Sequence, residues 1–226
     1  MPKPTFFNLP AEKQEQIFRA AVAEFAAHPY AAAAINRIVA RAGIAKGSFY
    51  QYFHDKKDLF LYCLQRIGEE KMAYLAPVLQ RAQALSFFDL LQELFVQGVR
   101  FVQDHPAYGA IGRRLVVERH PDLDAALREV SAQGEVFYRD RLEQAVARGE
   151  IRDDVDLALL AFLLNRLSGL LVEYHLERAG GAYDEQMLAT AGQFIRLLRT
   201  GMEARPDAER RAASYPSPHP SQGEAP

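Results

Sequence analysis

The sequence predicts an all-α fold of about nine helices, a small N-terminal three-helix unit followed by a larger helical body. Three observations carry this. Apolar residues recur at helical spacing through almost the whole chain, no stretch alternates apolar and polar residues as a strand would, and the breaks between periodic stretches fall at Gly and Pro. With 226 residues, nearly half of them apolar, the chain can bury a real core.

The first helix opens at Pro10, which suits a first turn, and its apolar set Ile17, Phe18, Ala21, Val22 and Phe25 ends at His28-Pro29. In the second, Ile38, Val39 and Ala42 share one side, and Asn36, Arg37 and Arg41 point outward. Gly43 follows the last periodic residue, where a glycine can take positive φ and turn the chain sharply. The third helix buries Ile44, Phe49 and Phe53. Asp55 is placed to cap a long fourth helix, Lys56 to about Gln80, with Asp58 at its third position. Further helices are expected near 86–103, 106–119, 121–148, 156–179 and 184–203. Their breaks fall at Asp104-His105-Pro106, His120-Pro121 and Gly180-Gly181. Residues 204–226, rich in Pro, Ser and Ala, read as a disordered tail.

Two short helices meeting at one glycine, the second lined with polar, aromatic and basic groups, form a helix-turn-helix pattern. Lys46, Gly47, Ser48, Tyr50, Gln51, Tyr52 and His54 are left exposed, and together they offer hydroxyls, an amide and a cation for phosphates or base edges. Gly47 would let another backbone come close. Phosphate contacts are expected from the Tyr50 and Tyr52 hydroxyls, from Lys56 and Lys57, and from Asn36, Arg37 or Arg41. Residues 1–62 hold eight Lys/Arg against five Asp/Glu, a net +3 that leaves −5 for the remainder, so the positive end coincides with this pattern.

The segments FFNLPAEKQEQIFRAAVAEFAAHPY, INRIVARAGIAKGSFYQYF and DKKDLFLYCL, spanning Phe6 to Leu64, resemble the tetracycline-repressor family of bacterial transcription regulators. GEIRDDVDLALLAFLL resembles that family's entry into its dimer helices. The resemblance implies a homodimer with a DNA-binding headpiece (1–55) and a ligand-binding and dimerisation body (56–203). It further implies a repressor that binds double-stranded DNA at a palindromic operator and is released by an unidentified small-molecule effector. Base reading falls by resemblance to Lys46, Gly47, Ser48, Gln51 and Tyr52. Three positions depart from the family pattern: Ala34 and Ala45 stand where hydroxyl residues commonly open the second and third helices, and Pro29 where a glycine often follows the first. Loss of a cap costs on the order of 1 kcal/mol.

In the body, the penultimate helix is apolar on more than one face, so one neighbouring helix cannot cover it and a second subunit is expected to. Leu160, Leu164, Leu167 and Leu171, with Phe194 and Leu198 of the last helix, are the expected interface. Phe88, Phe95, Tyr108, Phe137, Tyr138 and Asn165 are the candidate effector contacts, Asn165 serving equally well to fix dimer register. His175 reads as a solvated histidine.

A single cysteine, Cys63, lies among apolar neighbours and suits a reduced, cytoplasmic protein. No metal site and no cofactor are expected. The N-terminus has no apolar signal core, and Leu157–Leu164 is too short to span a bilayer. Catalysis is not expected either, since the chain has no Gly-rich phosphate loop, HExxH or GxSxG. The competing expectation is a helical dimer with a degenerate headpiece that binds a protein or lipid partner, suggested by the alanines at 34 and 45.

Overall fold

The computed structural model describes residues 1–118, 121–179 and 184–203, so His120, the Gly180-Gly181 break and the expected tail 204–226 lie outside the described residues. Among those described there are ten α-helices: α1 Pro4–Phe7, α2 Ala11–Ala27, α3 Ile35–Arg41, α4 Lys46–Tyr52, α5 Lys56–Gln80, α6 Phe87–Asp104, α7 Pro106–Val117, α8 Asp124–Ala147, α9 Leu157–Ala179 and α10 Glu185–Met202. A 3-10 turn covers Ala82–Ala84, and one isolated bridge, Ile151 to Glu203, is the only β pairing among the described residues. The helix beyond the expected nine is α1. It has a single turn, too short for periodicity to reveal.

Start and stop signals explain most boundaries. Asp55, Ser86 and Asp184 each accept the backbone N–H three residues on, and Asp156 accepts those of Ala158 and Leu159 at 2.9 and 3.0 Å. Pro10 proves to be the cap of α2 rather than part of its first turn. Gly149, at φ 72°, lets the chain leave α8 and reach Ile151.

Two cores result. One fills the headpiece with Phe6, Ile17, Phe18, Phe25, Ile38, Phe49, Phe53, Leu59, Phe60 and Cys63, and continues into the body through Ile111 of α7. The other joins α6, α8, α9 and α10 around Phe87, Phe88, Leu142, Leu164 and Ile195. The headpiece therefore meets the body twice, through the continuous helix α5 and through α2 packed on α7. Burial pushes the Cys63 thiol far above its usual range, so it stays protonated and unreactive.

Candidate nucleic-acid interface

The turn between α3 and α4 is built as the glycine required. Gly43 has φ 57°, and the Ile44 N–H donates to Val39 O at 3.1 Å. From α2, Lys13 Nζ donates to Ala42 O and Gly43 O at 3.1 and 3.3 Å, fastening the turn to the first helix. Phe49 and Phe53, both fully buried with ring centroids 5.5 Å apart, root α4 in the headpiece core. The opposite face of α4 is open: Lys46, Gly47, Tyr50 and Gln51 are exposed, Ser48 and Tyr52 half-buried. A side chain built at Gly47 would meet nothing within 4 Å, so packing inside the subunit does not demand glycine there. Asn36, Arg41 and His54 are exposed on the flanks, and neither Arg41 nor Lys46 makes an ion pair among the described residues. Lys57 is half-buried at the start of α5.

Two cations expected at phosphates are bonded to groups of their own subunit. Lys56 Nζ donates to Tyr30 O, Ala31 O and Ala33 O at 2.7, 3.1 and 3.0 Å, and lies 4.8 Å from the Tyr30 ring centroid. All three ammonium protons thus serve carbonyls of the α2–α3 connection, the consequence of a loop too tight to pair them itself. Arg37 is gripped by Glu24 and also donates to Ala32 O at 2.8 Å. Glu24 is buried on α2, and neither its role nor that of Lys13 had a signal in local sequence; both pairings span more than ten residues.

Neither Ala34 nor Ala45 provides a side-chain cap, as their side chains dictate. The Ala34 N–H itself is satisfied from α2, donating to Glu24 Oε1 at 2.9 Å. Asp55 caps α5 through the Asp58 N–H at 2.8 Å, and Asp58 in turn accepts the His54 N–H at 3.1 Å.

In the body, the six candidate effector residues do not converge. Tyr108 lies at the headpiece boundary, its hydroxyl donating to Glu70 Oε2 at 2.7 Å. Phe88 belongs to the α6–α10 core, and Phe95 is half-buried elsewhere on α6. Asn165 Nδ2 donates to Ser131 O and Oγ, both at 2.9 Å, and a Cβ at Gly134 would collide with Asn165 Oδ1, so the amide locks α9 onto α8. Phe137 and Tyr138 alone share a site, a shallow apolar cleft with Phe87, Leu90, Leu91, Leu94 and Arg141. A second shallow cleft lies between Phe25, Phe60 and α7. His175, expected in solvent, is buried instead, its Nε2 3.3 Å from Asp184 Oδ1.

The helix faces in the expected interface are also redistributed. Leu164 is buried in the second core, with Leu160, Leu167 and Leu198 packed against it; Leu171 and Phe194 are half-buried. The outward stripe consists of Leu159, Phe162, Leu163, Leu170 and Tyr174, joined by Leu197 of α10 at 68% exposure. A helix apolar all round offers no phase from which to choose its core side.

Residues 17–63 match the family described as "Bacterial regulatory proteins, tetR family", and residues 89–191 match "Tetracyclin repressor-like, C-terminal domain". The crystal structure of a TetR family transcriptional regulator from Chloroflexus aurantiacus is 32% identical, covers 91% of this chain and 100% of its own, and superposes with a TM-score of 0.66. The chain belongs to the tetR family. Among curated relatives, the transcriptional repressor AcnR of Corynebacterium glutamicum is 26% identical over 168 residues, 72% of this chain and 81% of that protein. FadR from Bacillus subtilis, solved in complex with stearoyl-CoA, shares the fold with a TM-score of 0.69 at 17% identity, over 83% of this chain and 98% of that one. As a tetR-family member the chain is a ligand-responsive, DNA-binding transcriptional regulator. Its relatives are regulators rather than enzymes, and members of the family are soluble DNA-binding proteins that bind small-molecule effectors. Helix α9, though long and apolar enough to cross a bilayer, carries Asn165 and Arg166 at its middle and divides its apolar residues between core and outward stripe.

Proposed function

We propose that two copies of this chain join through α9 and α10 and repress transcription in the cytoplasm by reading a palindromic operator, one half-site per headpiece, until an effector releases them. The headpiece comprises residues 1–55 and the body 56–203. The observation that carries the reading is the free polar face of α4: Lys46, Gly47, Ser48, Tyr50 and Gln51 point outward from a helix rooted by two buried phenylalanines. Lys46, Gly47, Ser48, Gln51 and Tyr52 read bases, and Tyr50, Asn36, Arg41, His54 and Lys57 meet the backbone. The outward stripe of α9 with Leu197 supports the pairing of copies, because an apolar patch of this kind left in water favours association.

The effector enters at the cleft between α6 and α8. Its walls are apolar, and the buried Arg141 Nε beside it has no hydrogen-bond partner. The enclosed space of the cleft, about 10 Å³, is far below the roughly 300–1,000 Å³ of a ligand pocket, so binding must part the two helices. Because α6 packs on both α5 and α7, that movement reaches the headpiece by both of its links.

The test is selection of bound duplexes from a random pool at low salt, followed by footprinting and measurement of the mass of the complex. Inverted half-sites bound by two chains are expected; a pool that yields no retained duplex overturns the reading.

A further inference from the structure

The geometry points to the N-terminal segment Lys3–Phe6 as a clip that closes the C-terminal end of α4 and holds its base-reading face in register, making Lys3 and Thr5 positioning residues for sequence discrimination. The inference rests on the operator reading above and specifies what keeps the reading helix in place.

A helix leaves its last four carbonyls without intrahelical donors. In α4 all four are nonetheless served. Phe49 O accepts the Phe53 N–H at 2.9 Å, Tyr50 O accepts Lys3 Nζ at 2.7 Å, Gln51 O accepts the Thr5 hydroxyl, and Tyr52 O accepts the Lys3 N–H at 2.8 Å. Three of the four donors thus come from one tripeptide more than forty residues away in sequence. The Lys3 ammonium also lies at the negative end of the helix dipole, where a cation is favoured.

The clip is itself anchored. Phe6 is fully buried, with ring centroids 5.0 Å from Phe53, 5.0 Å from Tyr62 of α5 and 6.3 Å from Tyr52. Gln14 of α2 donates to Leu9 O at 2.8 Å and so ties the exit of the segment to the first helix. The clip therefore joins α4 to both α2 and α5. At its other end α4 has no side-chain cap, and two turns of helix have little stability of their own. Its orientation is set by what holds its carbonyls.

This arrangement separates discrimination from affinity. Contacts to base edges require the helix in one register, whereas phosphate contacts from Arg41 or Lys57 come from other elements and survive a tilt of α4. Lys3 Nζ is committed to Tyr50 O, so its removal acts through α4 rather than through a lost phosphate contact.

The experiment compares full-length Lys3→Met, Thr5→Val and Thr5→Ser with the unaltered chain. A duplex selected by the unaltered chain and a random duplex are titrated across salt, and amide hydrogen exchange is followed in the free protein. Lys3→Met and Thr5→Val should each lower the ratio of selected to random affinity by about tenfold, the order of one mismatched base pair. The salt slope on random DNA should not change, and Thr5→Ser should restore the ratio. Exchange at Gln51 to Phe53 should speed up in Thr5→Val and return to normal in Thr5→Ser. A salt slope reduced by about one in Lys3→Met with the ratio intact would make Lys3 a phosphate contact and overturn the inference. Unchanged exchange in Thr5→Val overturns it without any DNA, even where Lys3→Met fails to fold. If the unaltered chain selects no duplex, the operator reading fails instead, and the exchange comparison still decides the clip.

Discussion

Glu24 and Arg37 are joined by a forked ion pair, Arg37 Nη2 lying 2.6 Å and Nε 2.9 Å from Glu24 Oε1, while the same oxygen accepts the Ala34 N–H. One buried carboxylate on α2 therefore satisfies the Ala34 N–H at the entry of α3 and holds the guanidinium of Arg37 against the headpiece. Replacing Glu24 by Ala removes both. We expect it to destabilise the headpiece by about 1–3 kcal/mol, the cost of leaving a hydrogen-bonding group unpaired, read from urea unfolding. An unchanged midpoint would show that α3 needs no such support.

The same carboxylate predicts an acid response. Burial by itself would raise its pKa, but the Arg37 hydrogen bond and the Ala34 N–H outweigh that, and the net shift is downward. The folded state then binds fewer protons than the unfolded one. Its contribution is complete above the ordinary glutamate range, near pH 4.3, and is lost as pH falls through the lower folded value. Stability measured from pH 6 to pH 3 should fall less steeply in Glu24→Gln than in the unaltered chain. Equal slopes would remove Glu24 from the acid transition.

Lys56 and Lys46 look alike in sequence and should behave differently. Lys46→Ala is expected to lower the ratio of operator to random-duplex affinity, as loss of a base contact does, with the melt unchanged. Lys56→Ala strands the Tyr30, Ala31 and Ala33 carbonyls, so it should lower the thermal midpoint while leaving the slope nearly unchanged. A salt slope reduced by about one in Lys56→Ala, with an unchanged melt, would return Lys56 to the DNA backbone.

Gly47→Ala separates stability from function. Alanine in a helix is favoured over glycine by about 0.5–1 kcal/mol, and there is open space for the methyl group. A higher melting temperature with weaker operator binding is expected. Equal or tighter binding would show that DNA does not approach the backbone there.

The redistributed faces of α9 give a paired prediction. Leu163→Glu, at an exposed position, should shift the protein toward monomers in sedimentation without lowering monomer stability. Leu164→Ala, in the core, should cost about 2–5 kcal/mol of stability and leave association unchanged. If Leu164→Ala dissociates the dimer and Leu163→Glu does not, the outward stripe is not the interface.

How much could be read in advance follows from the range of each interaction. The end of α3 at Gly43 and the Asp55–Asp58 cap are local, set by residues within four positions, and the structure contains them as expected. The faces of α2, α3 and α4 were legible because each has one apolar side. Asn165 carried an ambiguous signal, since an amide in an apolar helix suits a ligand, a register lock or a neighbouring helix equally; its partner Ser131 lies 34 residues away.

The sequence by itself determined the all-α class, the headpiece with its turn, and the family, because these depend on periodicity and on motifs in contiguous residues. Only the tertiary structure decided which face of α9 turns away from the subunit's own core, since a helix apolar on more than one face has no clear phase of its own. It also decided that Arg37 and Lys56 are bonded to their own subunit while Arg41 and Lys46 form no ion pair among the described residues. Charge is a property of the residue, but whether it is spent on a neighbour depends on distant chain segments, as it does for Lys3 at the end of α4.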